Sequence, residues 1–67
     1  MKNWYKITDI HGSVFLVEGL NPTDAAIVHY GMQKLDGETC VFPVRVVTPD
    51  KRAFEVDPFN SIERKIV

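Results

Sequence analysis

The sequence contains a single cysteine, Cys40, so the chain cannot form an internal disulfide, and a four-ligand zinc site is not expected. It has no apolar run near the roughly 20 residues that a membrane-spanning helix needs. The N-terminal residues lead directly into a strand pattern rather than an apolar signal-peptide core. We therefore expect a cytoplasmic protein that does not use a membrane.

Neither sign of charge dominates, since 8 Lys and Arg face 9 Asp and Glu, for a net charge of −1. This balance argues against a protein that binds nucleic acid through its total charge and against an acidic DNA mimic. With 45% hydrophobic and 25% charged residues, the chain is typical of folded domains. We expect one domain over residues 1–67, small enough to need oligomerisation or a partner as an added source of stability.

The strongest positive signal is residues 21–26, a helix start set between strand-like segments. An Asn accepts the free N–H groups of a first turn, Pro is tolerated at the first position, and an acid suits the positive end of the helix dipole. The pattern predicts a helix over residues 22–35, capped by Asn21 and followed by Gly37. The predicted fold class is α+β, in the order β-β-α-β-β, with one helix packed on a mostly antiparallel four-stranded sheet.

The predicted faces depend on a hairpin with a two-residue turn at His11-Gly12, which pairs Thr8 with Phe15. One face then carries Tyr5, Ile7, Val14 and Leu16, and the other carries Trp4, Lys6, Thr8, Phe15 and Val17. The helix stripe predicted to face the sheet is Ala25, Val28, Met32 and Leu35. In the second half the inward set is Cys40, Phe42, Val44, Val46, Phe54 and Val56.

Two features of the second half have consequences for the sheet. Pro43 has no N–H to donate, so it suggests an edge strand or a bulge. Residues 59–67 are compatible with a last helical turn capped at Asn60 or Ser61, an additional strand, or a tail that is either flexible or covers the sheet.

One helix covers one face of a sheet, and the other face is predicted to hold Trp4 and Phe15 with three valines: Val17, Val41 and Val47. Large exposed apolar patches mark interaction sites, so this face is a candidate surface for a protein partner or a homodimer. The alternatives are that the C-terminal segment covers it or that the register exchanges the faces. A smaller candidate is the outer helix surface, with Ile27, Tyr30 and Lys34.

The same face has the residue types of a single-strand nucleic-acid platform, on which bases stack on rings and cations follow phosphates. Trp4 and Phe15 would supply the rings, and Lys6 and Arg45 the cations. No RNP-like strand accompanies them, which weakens this interpretation. Nucleic acid is therefore only an alternative partner.

No catalytic, metal-binding or cofactor-binding constellation is recognisable. His11, His29 and Cys40 match no ligand spacing, and the third orienting group that a nucleophile needs is not identifiable. We interpret His11 as a turn residue, His29 as a helix-flank residue beside the core and Cys40 as a small buried hydrophobe. The prediction is a protein that is not an enzyme and has no metal or cofactor.

Read together, the hairpin, the helix entry at residues 21–26 and the strand that ends at Pro49 resemble small bacteriophage proteins that inhibit host machinery. The phage inhibitor of bacterial RNA polymerase is similar over residues 4–49, with a hairpin, an acid- and Ala-rich helix entry and a Val/Arg strand. That family contacts the polymerase through arginines in the strand after the helix, and in this chain only Arg45 lies in such a place. Small anti-defence proteins, including anti-CRISPR proteins, often look similar, with one compact domain and a surface specialised for one large partner. The resemblance implies a compact inhibitor without an active site.

The leading hypothesis is therefore a non-enzymatic protein-binding domain, with a structural homodimer and a single-strand nucleic-acid binder as alternatives. The predicted partner-binding residues are Trp4, Lys6, Phe15, Arg45, Ile27, Tyr30 and Lys34.

Overall fold

The computed structural model describes residues 1–66. Its elements are β1 (Asn3–Thr8), β2 (Val14–Gly19), α1 (Pro22–Leu35), β3 (Val44–Val47), β4 (Ala53–Asp57) and β5 (Ile62–Lys65). The strands form one antiparallel sheet in the order β2-β1-β3-β4-β5, with α1 across one face. This confirms the α+β class. The predicted four-stranded sheet is one strand short, because residues 62–65 pair with β4 as a fifth strand instead of covering a face.

The helix connects two strands that are not neighbours. Because β2 and β3 each pair antiparallel with β1, they run parallel to each other on its two sides. A connection between parallel strands must cross over the sheet, and α1 provides it. The crossover places the helix above the middle of the sheet and leaves β2 and β5 as the two edges.

The helix begins as the sequence predicts. The Asn21 side chain accepts a hydrogen bond from the Asp24 N–H at 2.8 Å, and Asp24 in turn accepts one from the Leu20 N–H at 2.8 Å. This reciprocal pair resembles a capping box and satisfies backbone donors on both sides of the first turn. Gly37 follows the helix with a φ of 74°, a conformation that favours glycine at a helix end.

The predicted hairpin register is wrong by one residue. The connection spans Asp9 to Ser13, closed by the Asp9 N–H to Ser13 O bond at 3.0 Å, and the Asp9 side chain accepts two further backbone N–H bonds inside it. Thr8 therefore pairs with Val14 instead of Phe15. As a result Phe15 and Val17 lie on the helix side of β2, and Val14 and Leu16 lie on the opposite side.

The helix packs on the sheet through a different stripe from the predicted one. Its buried residues are Ala25, Ala26 and His29, and the predicted Val28, Met32 and Leu35 are exposed. The backbone of α1 comes so close to β2 that a Cβ on Gly19 would lie 2.9 Å from the Ala25 nitrogen. Small side chains on both elements are therefore required at this contact. The core beneath the helix consists of Tyr5, Ile7, Val17, Ala25, Ala26, Val44, Val46 and Val56.

The second half follows the predicted alternation, with Val44, Val46 and Val56 buried and Phe54 packed partly against them. Pro43 does not mark an edge, because it directly precedes β3, which lies between β1 and β4. The strand begins only at Val44, so the missing N–H of Pro43 falls outside the ladder. Phe42 packs partly against the core, and Cys40 is half-buried.

Candidate protein interface

The face of the sheet that α1 does not cover, which we call the open face, carries large exposed apolar side chains. Trp4 is 59% exposed and Leu16 is 67% exposed. The register places both on this face, Trp4 opposite Glu18 and Leu16 opposite Lys6. Val14 is also exposed there, and Val47 lies half-buried beside Lys6. The open face is therefore an apolar surface interrupted by single charges.

The charges on the open face are unevenly paired. Arg45 lies opposite Glu55, which lies opposite Arg64 in turn, and Arg64 forms an ion pair with Glu55. Among residues 1–66, neither Lys6 nor Arg45 takes part in an ion pair. Two cations next to the apolar residues are therefore available to carboxylates from outside the molecule.

The structure places three of the four partner-binding residues predicted for this face on it and the fourth on the helix side. Trp4, Lys6 and Arg45 lie on the open face, as predicted. Phe15 does not, because the corrected register turns it toward the helix, where it is half-buried against His29. Leu16 takes its place on the open face, and only a correct loop length for the Asp9–Ser13 turn would have revealed it.

The presence of Leu16 instead of Phe15 on the open face weakens the hypothesis that this face binds single-stranded nucleic acid. A stacking platform presents several aromatic rings on one face. Without Phe15, Trp4 is the aromatic ring that the described strands present there, and Glu18 lies directly opposite it. Among the described strands, the open face therefore presents one ring instead of the several rings of a base-stacking platform.

The second predicted candidate, on the outer helix, is part of an aromatic cluster. Tyr30 was predicted to point into solvent, but its ring packs edge-on against Phe59 with centroids 4.8 Å apart, and Phe59 packs against Phe42 at 5.5 Å. Lys34 places its ammonium 5.8 Å from the Tyr30 ring centroid, within cation–π range. Ile27 is half-exposed on the helix. This cluster fastens the helix to the turn between β4 and β5.

His29 is a fully buried histidine on the sheet-facing side of the helix. It is 1% exposed, and its Nδ1 has no hydrogen-bond partner among the described residues. Burial lowers its pKa, and the carboxylate of Asp9 partly opposes that shift. Burial, followed by the same carboxylate, raises the pKa of Cys40. A raised thiol pKa disfavours the thiolate, so this environment does not activate Cys40 as a nucleophile.

A groove of about 470 Å³ lies between the start of α1 and the turn after β3, lined by Tyr5, Asn21, Thr48 and Arg52 among others. Arg52 is held by an ion pair with Asp50 at 2.8 Å, and Thr48 donates a hydrogen bond to the same carboxyl. That bond and Arg52 hold the pKa of Asp50 below its usual value. These polar groups are occupied in stabilising the turn, so the groove offers less for recognition than the open face.

No family model, curated protein or solved structure matches the chain. Over residues 1–66 the single helix is too short and too polar to span a bilayer. In the same residues no three His, Cys, Asp or Glu side chains come together in a group that could hold a metal ion.

Proposed function

We propose that this chain is a small non-enzymatic protein-binding domain that inhibits a larger protein complex through its open face. The observation that carries the proposal is the uncovered apolar surface around Trp4 and Leu16, bordered by Lys6. Trp and Arg are favoured at the energetic centres of protein interfaces. The layout resembles phage-encoded inhibitors of host or defence complexes, which suggests a target of that kind.

The chemistry of the open face also suggests what its partner presents. An apolar group would cover Trp4 and Leu16, and carboxylates would pair with Lys6 and Arg45. Because salt screens charges at a protein surface, the attraction of the partner's carboxylates to Lys6 and Arg45 should weaken as the salt concentration rises.

Trp4 provides the readout, because it is the only Trp in the chain and lies in the proposed interface. The partner is first captured from a bacterial lysate with the wild-type chain and identified. Binding of the purified partner should then shift the Trp4 fluorescence to shorter wavelength as water leaves the indole. Trp4→Ala and Arg45→Ala should each weaken capture by about tenfold or more, which corresponds to ~1.4 kcal/mol.

The matched control is Lys65→Ala, which removes an exposed cation on the helix side of β5. It should bind as well as the wild type. All three variants should show wild-type circular dichroism, since the replaced side chains are exposed. If the captured protein is retained equally by Trp4→Ala and Arg45→Ala, the open face is not the binding surface and the proposal is wrong.

A further inference from the structure

The two edges of the sheet differ in how they meet solvent. Exposed edge strands pair readily with other chains, and proteins prevent this with short strands and charged side chains. β5 fits that description, because three of its four residues are charged. β2 does not: its six residues, Val-Phe-Leu-Val-Glu-Gly, include one charge and no proline. The β2 edge is therefore the one open to strand pairing.

The backbone of β2 directs its free groups outward at three residues. The Asp9 N–H to Ser13 O bond makes that pair a hydrogen-bonded position of the ladder. Bonded and non-bonded pairs alternate in an antiparallel ladder, so Phe15 and Val17 bond to β1. The N–H and C=O groups of Val14, Leu16 and Glu18 consequently point away from β1, into the unpaired edge.

Apolar side chains flank this edge on the helix side as well. Val28, Met32 and Leu35 are exposed, and their spacing of four and three places them on one helical stripe. The aromatic cluster of Tyr30, Phe42 and Phe59 holds the opposite flank of α1 against the β4–β5 turn. The Val28–Met32–Leu35 stripe therefore lies on the flank toward β2, and the edge is apolar on both sides of the sheet.

We propose that β2 pairs antiparallel with β2 of a second copy of this chain, around a two-fold axis at Leu16. The two five-stranded sheets then form one continuous ten-stranded sheet. Leu16 lies opposite Leu16 of the second copy, and Val14 lies opposite Glu18 of the second copy. This register uses all three outward-facing residues of each strand and brings the two helical stripes toward each other.

Charge and size favour a second copy as the occupant of this edge. The two-fold register places no like charges opposite one another, because Glu18 faces a valine, and each chain carries a net charge of only −1. A chain of 67 residues without an internal disulfide has a small core, and oligomerisation is a usual source of added stability at this size. Isologous pairing of two identical edges also closes the assembly at a dimer.

Backbone amide exchange tests the pairing directly and does not depend on the proposed function. Sedimentation should show a monomer–dimer equilibrium. As concentration rises, the amides of Val14, Leu16 and Glu18 should become protected by about tenfold or more, while Phe15 and Val17 remain protected throughout. A chain that stays monomeric up to about millimolar concentration, or a dimer that leaves the Leu16 and Glu18 amides unprotected, overturns the proposal.

Charge-swapped variants at the two-fold axis provide a second test. Leu16→Lys and Leu16→Glu should each be monomeric, because like charges would face each other, and their circular dichroism should match that of the wild type. Mixing the two should restore a dimer through the Lys–Glu pair. Arg45→Ala, on the open face away from the edge, should dimerise like the wild type. Failure of the mixture to form a heterodimer would contradict pairing at Leu16.

Discussion

The ring of Phe15 packs against the buried imidazole of His29, with ring centroids 4.8 Å apart and planes inclined by 52°. This contact joins β2 to α1 and is made by two residues whose positions the sequence pattern placed elsewhere. It explains how a histidine occupies the core stripe of the helix, because its ring packs at a tilt against an aromatic neighbour. The contact also gives the fold a titratable group in its interior.

Stability should decrease as pH falls below about 6.5, the pKa of an unperturbed histidine. Burial lowers the pKa of His29, so the unfolded chain binds a proton that the folded chain does not. The unfolded state therefore gains stability as pH falls from the unfolded pKa toward the folded one. Urea unfolding between pH 7 and pH 5 would measure this as a falling free energy of unfolding.

Two variants assign the effect to His29. His29→Phe removes the titrating group and the unpartnered Nδ1, so its stability should vary less over the same pH range. His11→Gln, in the exposed turn, should retain the wild-type pH dependence. An unchanged pH dependence in His29→Phe would show that another group is responsible.

Gly19→Ala should destabilise the fold by about 1–3 kcal/mol, because the new Cβ would meet the backbone of Ala25. Neither backbone can move away without disturbing the contact between β2 and α1. The matched control is Gly31→Ala, since a Cβ at Gly31 has no neighbour within 4 Å and the residue lies on an exposed helix position. That variant should stabilise the chain by about 0.5–1 kcal/mol through helix propensity. Thermal unfolding of both variants measures whether the two changes in stability have opposite signs.

Asn21→Ala should lower the free energy of unfolding by about 1 kcal/mol, the usual effect of losing an N-cap side chain. The variant leaves the Asp24 N–H without its side-chain acceptor. Asn21→Ser keeps an acceptor at this position and should be close to the wild type in chemical denaturation. Equal losses in the two variants would indicate that Asn21 acts through a contact other than the cap.

Tyr30 and Phe59 should be energetically coupled by about 0.5–1.5 kcal/mol, the range for an edge-to-face aromatic pair. A double-mutant cycle with Tyr30→Ala and Phe59→Ala measures this coupling as the departure from additivity. A cycle between Phe59 and Trp4 serves as the control, because Trp4 lies on the open face and the two effects should add. Additivity in the Tyr30–Phe59 cycle would mean that the cluster does not fasten the helix.

The local features of the fold were predictable because they depend on neighbouring residues. The start of α1 at Asn21, its end before Gly37, and the alternation through Val44, Val46, Phe54 and Val56 each rest on a motif or period within a few positions. Trp4, Lys6 and Arg45 were placed on the open face for the same reason, since each belongs to a strand whose alternation was interpreted correctly. Phe15 and Leu16 were exchanged because one residue of loop length reverses every side chain that follows.

Short-range capping and side-chain alternation are enough to specify the α+β class, the helix boundaries and the inward residues of β3 and β4. Which side of α1 is buried depends on packing against the sheet, since the helix has two stripes that could face it. The close approach at Gly19 and the aromatic cluster at Tyr30 selected Ala25, Ala26 and His29. Tertiary packing also makes residues 62–65 extend the sheet beside β4, which leaves the open face uncovered. The pairing of β1 with both β2 and β3 leaves β2 as the opposite edge.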